Sequence, residues 1–537
     1  MGILSLLIGL PLLGMVLTLF IPGKAQHTAK WLTLGITLVQ SVVFFAFVLP
    51  ANQGGDPYES YHLVEQLQWI RLDLGEMGYL NIEYHLGLDG LGLILVMLST
   101  IVFPIAAISS FKIEKRPKAY FSLFLLLNAS IFGVFMALDF FLFYIFYELM
   151  LLPMFFLIGL WGGARREYAA IKFFLYTLFG SVFMLLIMVG LAFSVLDPEL
   201  TESLGMEVFT FDMVHMMDPI NFRPEGLFYF DGTLLGMGSR DLAFLVLFIG
   251  FVIKIPAVPL HTWLPDAHVE APTPVSVLLA ALLLKVGGYG ILRICYGIFP
   301  ESGVHFASFV AILGMISILY GALVAMSQKD LKSLIAYSSI SHMGFVLLGL
   351  ASMDSTGVNG AVFQMFNHGI ISAGLFILVG VLYDRTHDRM IANYEGLWGK
   401  MPRYTVLVIL TFFASLGLPG LNGFVSEMLV LFGAFSPHGN SGAWIAGLSV
   451  LGILLAAVYY LRTFRRMFFG KFAYRGEGDE NSLTDLTNRE LVMMVPLAIL
   501  MVGLGLLPFL ALDLFDTSVS EFTNTLILQG EYIESAR

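Results

Sequence analysis

Cysteine is almost absent from this chain: among its 537 residues only Cys295 occurs, and it lies within an apolar stretch. A single cysteine excludes an internal disulfide, and the lack of cysteine clusters excludes iron–sulfur and structural zinc sites of the usual spacing. The glycine-rich motifs that bind dinucleotides and nucleoside triphosphates are also missing. We therefore predict no cofactor-binding and no metal-binding residues on this chain.

Charged residues are scarce as well, at 12% of the chain, whereas apolar residues reach 58% and the mean hydropathy is +0.84. This balance excludes a soluble globular protein of this length. The sequence predicts an all-α polytopic membrane protein with about fourteen transmembrane helices. The predicted spans are 2–21, 30–50, 88–110, 118–137, 139–161, 170–195, 241–262, 275–298, 305–326, 334–352, 361–382, 404–434, 443–468 and 490–514. The first span lacks a basic leader and a cleavage site, so we predict a retained helix there.

Basic residues concentrate in alternate loops. If the predicted helices are numbered in order, the odd-numbered connections carry many lysines and arginines, and the even-numbered ones carry only Arg71, Arg223 and Arg240. The positive-inside rule then makes the odd-numbered connections cytoplasmic and directs both termini to the periplasm. The net charge of −11 comes largely from the acidic loops 51–85 and 196–240. Because the basic residues form no clustered face, nucleic acid is not an expected partner.

Two predicted helices contain residues that cannot continue a helix. The seventh is interrupted after Lys254 by Pro256 and Pro259, and the twelfth is interrupted by Pro419 and Gly420. Backbone groups freed at membrane depth must face protein or water. The interruptions lie five helices apart, an odd number, which predicts two inverted five-helix repeats. The predicted domains are N-terminal helices with an acidic loop (1–117), a first repeat (118–298), a second repeat (299–470), and a C-terminal helix with a tail (471–537).

Four ionisable residues lie near the middle of apolar runs: Glu148, Lys254, Lys285 and Glu427. A charge at that depth costs about 2.5–3.5 kcal/mol on insertion scales, and intramembrane acids and bases usually mark ion pathways. A structural ion pair is the alternative for Glu148, and snorkelling to the interface is the alternative for the lysines. We predict that all four residues take part in proton translocation.

Two histidines, His342 and His368, lie in the tenth and eleventh predicted helices among serine, asparagine and glutamine residues. Histidine titrates near neutral pH and can pass a proton between its two nitrogens, so we add both to the predicted proton route. A core histidine with satisfied hydrogen bonds is the alternative for each. His261, in the proline-rich turn after the first interruption, and Lys332 are possible accessory residues. His261 and the nearby His268 lack further ligands at metal-site spacing.

The motifs around these residues resemble those of the antiporter-like membrane subunits of proton-pumping NADH:quinone oxidoreductase, respiratory complex I, from about residue 88 to 470. The matching motifs are Tyr147-Glu148-Leu-Met-Leu-Leu-Pro153, the run from Lys254 to His268, Ala271-Pro-Thr-Pro-Val-Ser276, the run from Lys332 to Gly344, and the run from Gly417 to Glu427. Related subunits usually carry lysine where this chain has Glu427. The largest relative has a long lateral helix after its last span, and we expect no such helix in this chain. These two differences indicate one branch of the family.

The resemblance implies two inverted repeats around a proton channel that is driven by quinone reduction elsewhere in the complex. Glu148 and Lys254 would form a switching pair, Lys285 and the histidines a central relay, and Glu427 the gate toward the periplasm. It also implies that NADH, FMN, iron–sulfur clusters and quinone reside on other subunits, with no redox active site on this chain. Expected partners are neighbouring antiporter-like subunits, the lateral helix of the largest one, and lipids of a bacterial inner membrane.

Other functions fit parts of the same pattern. A subunit of a multi-subunit sodium/proton antiporter shares the architecture and many motifs, and it would exchange ions without a redox donor. The membrane arm of an energy-converting hydrogenase, or of a ferredoxin-dependent relative, is a second alternative. In a third, the chain is a passive scaffold whose buried charges only pair helices. Transport would then survive the replacement of Glu148 and Lys254 by apolar residues.

Overall fold

The computed structural model describes residues 2–53, 61–436 and 442–536. Within these ranges, twelve helices are long and apolar enough to cross a membrane. The major helices are α1 (Ile3–Phe20), α2 (Ala25–Ala51), α3 (Gly90–Lys112), α4 (Pro117–Met136), α5 (Phe140–Trp161), α6 (Arg166–Ala192), α7 (Ser239–Lys254), α8 (Trp263–Glu270), α9 (Thr273–Tyr296), α10 (Ala307–Ser327), α11 (Leu331–Ala351), α12 (Ser355–Thr386), α13 (Pro402–Ser415), α14 (Asn422–Phe435), α15 (Ala443–Phe468), α16 (Asn488–Leu506) and α17 (Asp516–Ala536). The all-α membrane class is confirmed, while the count of fourteen spans and the inverted repeat stay predictions.

Both predicted helix breaks are present. The predicted span 241–262 is divided between α7, which ends at Lys254, and α8, which begins at Trp263. The predicted span 404–434 is divided between α13, which ends at Ser415, and α14, which begins at Asn422. In the first break the Trp263 indole donates to the carbonyl oxygen of Ile253 (2.8 Å), so a side chain satisfies a main-chain group that the helix no longer uses.

Four helices form the centre of the bundle. In the most apolar part of α9 and of α12 every residue is buried, and in α3 and α11 about nine in ten are, whereas α6 and α16 bury only a third. The central helices also carry many of the buried polar residues, including serines, asparagines and histidines. This arrangement keeps polar groups away from lipid, where nothing could satisfy them.

The acidic loops contain strands that the sequence did not predict. Strand β1 (His62–Asp73) pairs antiparallel with β2 (Tyr79–Leu88), and β2 pairs parallel with β3 (Val208–Thr210). Residues 54–60 of the loop 51–85, together with the chain ends Met1 and Arg537, lie outside the described residues. Shorter elements are the helices Pro198–Leu204, Met213–Met217, Pro300–His305, Leu397–Lys400 and Phe509–Leu512 and the two-residue strands Thr233–Leu234, Met237–Gly238, Tyr394–Glu395 and Ala473–Tyr474.

The two ends of the bundle differ in charge. At one end, here called the basic end, the odd-numbered connections contact one another through the ion pairs Lys112–Asp384 (2.7 Å), Arg389–Asp330 (3.1 Å) and Arg475–Glu395 (2.5 Å). The opposite, acidic end holds the three-stranded sheet and α17, whose Ser518 hydroxyl accepts from the Gly90 N–H (2.9 Å). The C-terminal tail is therefore a helix packed on the bundle, more ordered than the sequence predicted.

Candidate functional site

Lys285 lies at the centre of the bundle on α9, a helix with irregular turns. The segments Leu279–Leu283 and Ile291–Tyr296 are π-helical, and such wider turns occur frequently at functional sites. The Lys285 side chain is fully buried, and its Nζ donates to the carbonyl oxygen of Ala280 (2.6 Å). The same Nζ lies 2.7 Å from Nδ1 of His368 on α12. The structure thus joins two predicted site residues directly.

Glu427 and His342 form the second contact of the site. Glu427 lies on α14, in the second turn after the helix break, and its Oε1 is 2.9 Å from Nδ1 of His342 on α11. The other ring nitrogen of His342 lies 3.1 Å from the Ser415 hydroxyl at the end of α13. Gly417 in the break has φ +75, and a Cβ there would lie 3.0 Å from Glu427 Oε2. Glycine therefore lets the chain turn tightly beside the carboxylate.

The Lys285–His368 and His342–Glu427 contacts lie next to each other. The rings of His342 and His368 are 5.7 Å apart between centroids. A cavity of about 10 Å³ lies beside both rings, and it is also lined by Gln364, Ser415 and Glu427. This is about the space that one water molecule needs, and polar groups surround it. The four residues thus form a line that runs from Lys285 through His368 and His342 to Glu427. The one gap in this line, between the two histidines, is about as large as a water molecule.

Lys254 and Glu148 are near each other but are not hydrogen-bonded. The Lys254 ammonium is fully buried, has no hydrogen-bond partner among the described residues, and lies 4.9 Å from the centroid of the Tyr147 ring and 5.6 Å from that of Phe173. Glu148 on α5 is half-buried, and its Oε1 is also without a partner there. The two charges are within electrostatic range. The predicted switching pair is therefore open in this structure.

Lys254 lies next to the central helix that carries Lys285. A Cβ added to Gly287 of α9 would lie 2.7 Å from the Ile255 nitrogen and 3.1 Å from the Lys254 carbonyl carbon. The first helix break therefore packs directly on α9, two residues from Lys285. This contact brings the break of the first predicted repeat to the central line of residues.

The accessory residues lie nearer the basic end. Lys332, at the start of α11, donates from Nζ to the carbonyl oxygen of Ala271 (2.5 Å), just after the end of α8. A cation there stabilises the end of a helix. Lys332 also lines a cavity of about 440 Å³ whose wall includes Glu270 and Asp384. His261 lies in the first break, where its ring is 5.1 Å from that of Tyr320.

His268 is a buried titratable residue that the sequence did not assign to the proton route. It lies on α8 with no exposed surface, its ring is stacked on Phe376 at 4.4 Å, and neither ring nitrogen has a hydrogen-bond partner in the described chain. It is within electrostatic range of both Lys332 and Lys285. The available signal was a second histidine in the polar, proline-rich segment that follows the first break.

Hydroxyl groups extend the site on the α15 side. Tyr460 lies 2.7 Å from the Ser415 hydroxyl and donates to the Ser338 hydroxyl (3.1 Å). Ser338 belongs to the polar helix that the sequence indicated, whereas Tyr460 lies on α15, where no site residue was predicted. These hydroxyl groups connect His342, through Ser415, to Tyr460 on α15.

Two family models together match most of this chain. The model described as "NADH:quinone oxidoreductase/Mrp antiporter, TM" matches residues 137–456, and the one described as "NADH-ubiquinone oxidoreductase chain 4, amino terminus" matches residues 66–138. The NADH-quinone oxidoreductase subunit M of Rhodobacter capsulatus is 42% identical over 499 residues, covering 92% of this chain and 90% of that protein.

Solved structures agree with this assignment. A chain in the structure of respiratory complex I from Thermus thermophilus with bound NADH superposes with a TM-score of 0.80 at 28% identity, over 97% of this chain and 99% of that one. A chain of the Mrp complex from Dietzia sp. DQ12-45-1b superposes with a TM-score of 0.79, over 98% of each chain, but at 19% identity it shows a shared fold alone. The branch indicated by Glu427 is confirmed, and the chain belongs to the subunit M family of the antiporter-like NADH-quinone oxidoreductase membrane subunits.

Proposed function

We propose that this chain translocates protons in the membrane arm of an NADH:quinone oxidoreductase. The observation that carries the proposal is the line of contacts from Lys285 through His368 and His342 to Glu427. Each member can bind and release a proton, and one water molecule in the small cavity would bridge the two imidazoles. Protons would leave from Glu427 toward the acidic end, which faces the periplasm.

Protons would enter this line of residues from the basic end. The cavity beside Lys332 opens there, and His268 lies in electrostatic range of Lys332 on one side and Lys285 on the other. Lys332 and His268 would therefore pass protons inward to Lys285. His261, in the first break, would connect the same end with Lys254.

Glu148 and Lys254 would control the direction of transfer. When the carboxylate closes on the ammonium, Lys254 holds its proton, and when the pair opens, the buried ammonium loses its stabilising charge and gives up the proton. The open pair supports this role, because Lys254 lies beside two aromatic rings and its Nζ has no hydrogen-bond partner in the described part of the chain. Quinone reduction on other subunits, which would also bind NADH, FMN and the iron–sulfur clusters, would drive the opening.

The position of Glu148 supports a neighbouring membrane subunit as partner. It lines a groove of about 410 Å³ on the outer face of the bundle, together with Phe141, Tyr144 and Leu152. A partly buried carboxylate beside a lipid-facing groove is costly, so a protein partner would cover this groove. Neighbouring antiporter-like subunits and the lateral helix of the largest subunit are the proposed partners, in a bacterial inner membrane.

The variant Glu427→Gln tests the route. Glutamine keeps the size of the side chain and a hydrogen bond to His342, but it cannot bind and release a proton. NADH-driven proton transport by the assembled complex should therefore be lost. The measurement is the ratio of protons moved to NADH oxidised in vesicles. Glu199→Gln, on an exposed helix of the acidic end, is the matched control and should pump normally. An unchanged ratio in Glu427→Gln would exclude this route.

A further inference from the structure

A second group of buried ionisable residues lies at the acidic end, away from the proposed proton route. In strand β2 the residues Asn81, Glu83 and His85 alternate with apolar ones, so their side chains share one face of the sheet. Asp212 follows β3 in the adjacent segment. One ligand atom from each of Glu83, His85 and Asp212 lies within 4.8 Å of the others, and all three residues are buried.

The main chain holds these side chains in place. The N–H of Leu138 donates to the carbonyl oxygen of His85 (2.9 Å), and the N–H of Met213 donates to that of Leu138 (2.8 Å). The segment before α5 therefore lies between β2 and the segment that carries Asp212. Asp212 also begins a short helix, because its Oδ1 accepts from the N–H of Val214 (2.7 Å). The positions are set by three chain segments that are distant in sequence.

The cluster holds two carboxylates and one histidine, and each carboxylate oxygen has a hydrogen-bond partner. His85 Nδ1 lies 2.8 Å from Asp212 Oδ2, Gln66 donates to Glu83 Oε2 (2.6 Å), and Asn81 Nδ2 donates to Glu83 Oε1 (2.8 Å). Asn81 lies on the same face of β2 and has no exposed surface, yet its Oδ1 accepts no hydrogen bond from any described residue.

The buried carboxylates of this region outnumber the basic side chains paired with them. Asp139, whose Oδ2 accepts from the Glu83 N–H (3.0 Å), adds a third carboxylate to the same buried region. His85 is the one basic side chain paired with these acids in the described structure. Charges removed from water are normally paired or bound to metal ions.

We propose that Glu83, His85 and Asp212, with Asn81 Oδ1 as a fourth donor, bind one divalent transition-metal ion. One imidazole nitrogen together with carboxylate and amide oxygens suits Zn²⁺ or Mn²⁺ better than Ca²⁺ or Mg²⁺, which favour all-oxygen sites. The ion would fasten the β1–β2 hairpin to the start of α5 and to the loop after β3. Its role would be to stabilise the acidic end, independent of the proposed proton route.

Zinc binding by the purified full-length chain tests the site. After treatment with a chelator, the untagged chain in detergent is dialysed against Zn²⁺ and its metal content is measured. The wild type should retain one equivalent more than the double variant Glu83→Gln/Asp212→Asn, and Asn81→Ala should weaken binding by about tenfold or more. His62→Gln, on the same hairpin but outside the cluster, should bind as the wild type does. Equal zinc content in the wild type and the double variant would refute the proposal.

A measurement on the wild type alone covers the case in which the double variant does not fold. X-ray absorption at the zinc edge should show nitrogen and oxygen ligands at about 2.0–2.2 Å, with the scattering pattern of one imidazole. Zinc should also raise the melting temperature of the wild type, since binding to the folded state alone stabilises it. A spectrum without imidazole, or an unchanged melting temperature, would overturn the site.

Discussion

At the scale of single residues, burial of charge is what marks this site. Each intramembrane charge costs about 2.5–3.5 kcal/mol on insertion scales, so a chain keeps such residues only where they pair or act. In the structure Lys285 and Glu427 each contact a histidine, whereas Lys254 lies beside aromatic rings and has no hydrogen-bond partner among the described residues. Lys285 and Glu427 are therefore hydrogen-bonded, and we expect Lys254 to be the residue that switches.

His268 gives the first prediction at this scale. The variant His268→Phe keeps the stacking on Phe376 but removes both ring nitrogens, so protons should no longer pass from Lys332 to Lys285. Proton transfer groups commonly contribute 10²–10⁴-fold, and water can replace part of this, so we expect transport to fall by about tenfold or more. The ratio of protons moved to NADH oxidised measures the effect.

The control for His268 is a histidine outside the route. His305 at the acidic end has a 63% exposed side chain and pairs with Asp241, so His305→Gln should transport protons like the wild type. Normal transport by His268→Phe would show that Lys285 receives its protons by another path.

At the scale of elements, the helix breaks place the site. Each break ends one helix at membrane depth and begins another, so side chains near it face a polar interior and not lipid. The first break packs on α9 through Gly287, and the second brings Glu427 to His342. The breaks therefore bring Lys254 and Glu427 next to the central helices.

Gly287→Ala tests the packing of the first break. An added Cβ would lie 2.7 Å from the Ile255 nitrogen and 2.8 Å from the Phe251 oxygen, both main-chain atoms that cannot turn away. Overpacking of this kind costs about 1–3 kcal/mol, so the melting temperature of the purified chain should fall. Gly503→Ala on α16 meets no atom within 4 Å and should be neutral or slightly stabilising. Equal stability of the two variants would show that α9 can shift away from the break.

At the scale of the whole molecule, the charge difference between the two ends predicts the orientation of the chain in the membrane and hence the direction of the proposed transport. Moving one proton against 100 mV requires about 2.3 kcal/mol. A change of one pKa unit corresponds to about 1.36 kcal/mol, so modest changes in the pairing of Glu148 and Lys254 would supply this energy.

The charge of the loops gives the orientation. By the positive-inside rule the basic end should face the cytoplasm and supply protons, and the acidic end should release them.

Labelling of introduced cysteines tests this orientation. Cys295 is buried, so it should not react in the folded chain. In intact cells a membrane-impermeant maleimide should label Glu202→Cys at the acidic end, whereas Lys471→Cys at the basic end should react only after permeabilisation. The reverse pattern would invert the chain in the membrane and with it the proposed direction of proton flow.

The sequence by itself determined the membrane class, both helix breaks and the buried charges, because apolar length, proline and charge act locally along the chain. The tertiary structure decided which of these residues meet: His342 contacts Glu427 85 residues away, and Lys285 contacts His368 83 residues away. It also showed His268 within electrostatic range of two lysines, the open Glu148–Lys254 pair and the sheet at the acidic end. Such contacts depend on how helices and strands from distant segments pack together, and local sequence patterns do not specify that packing.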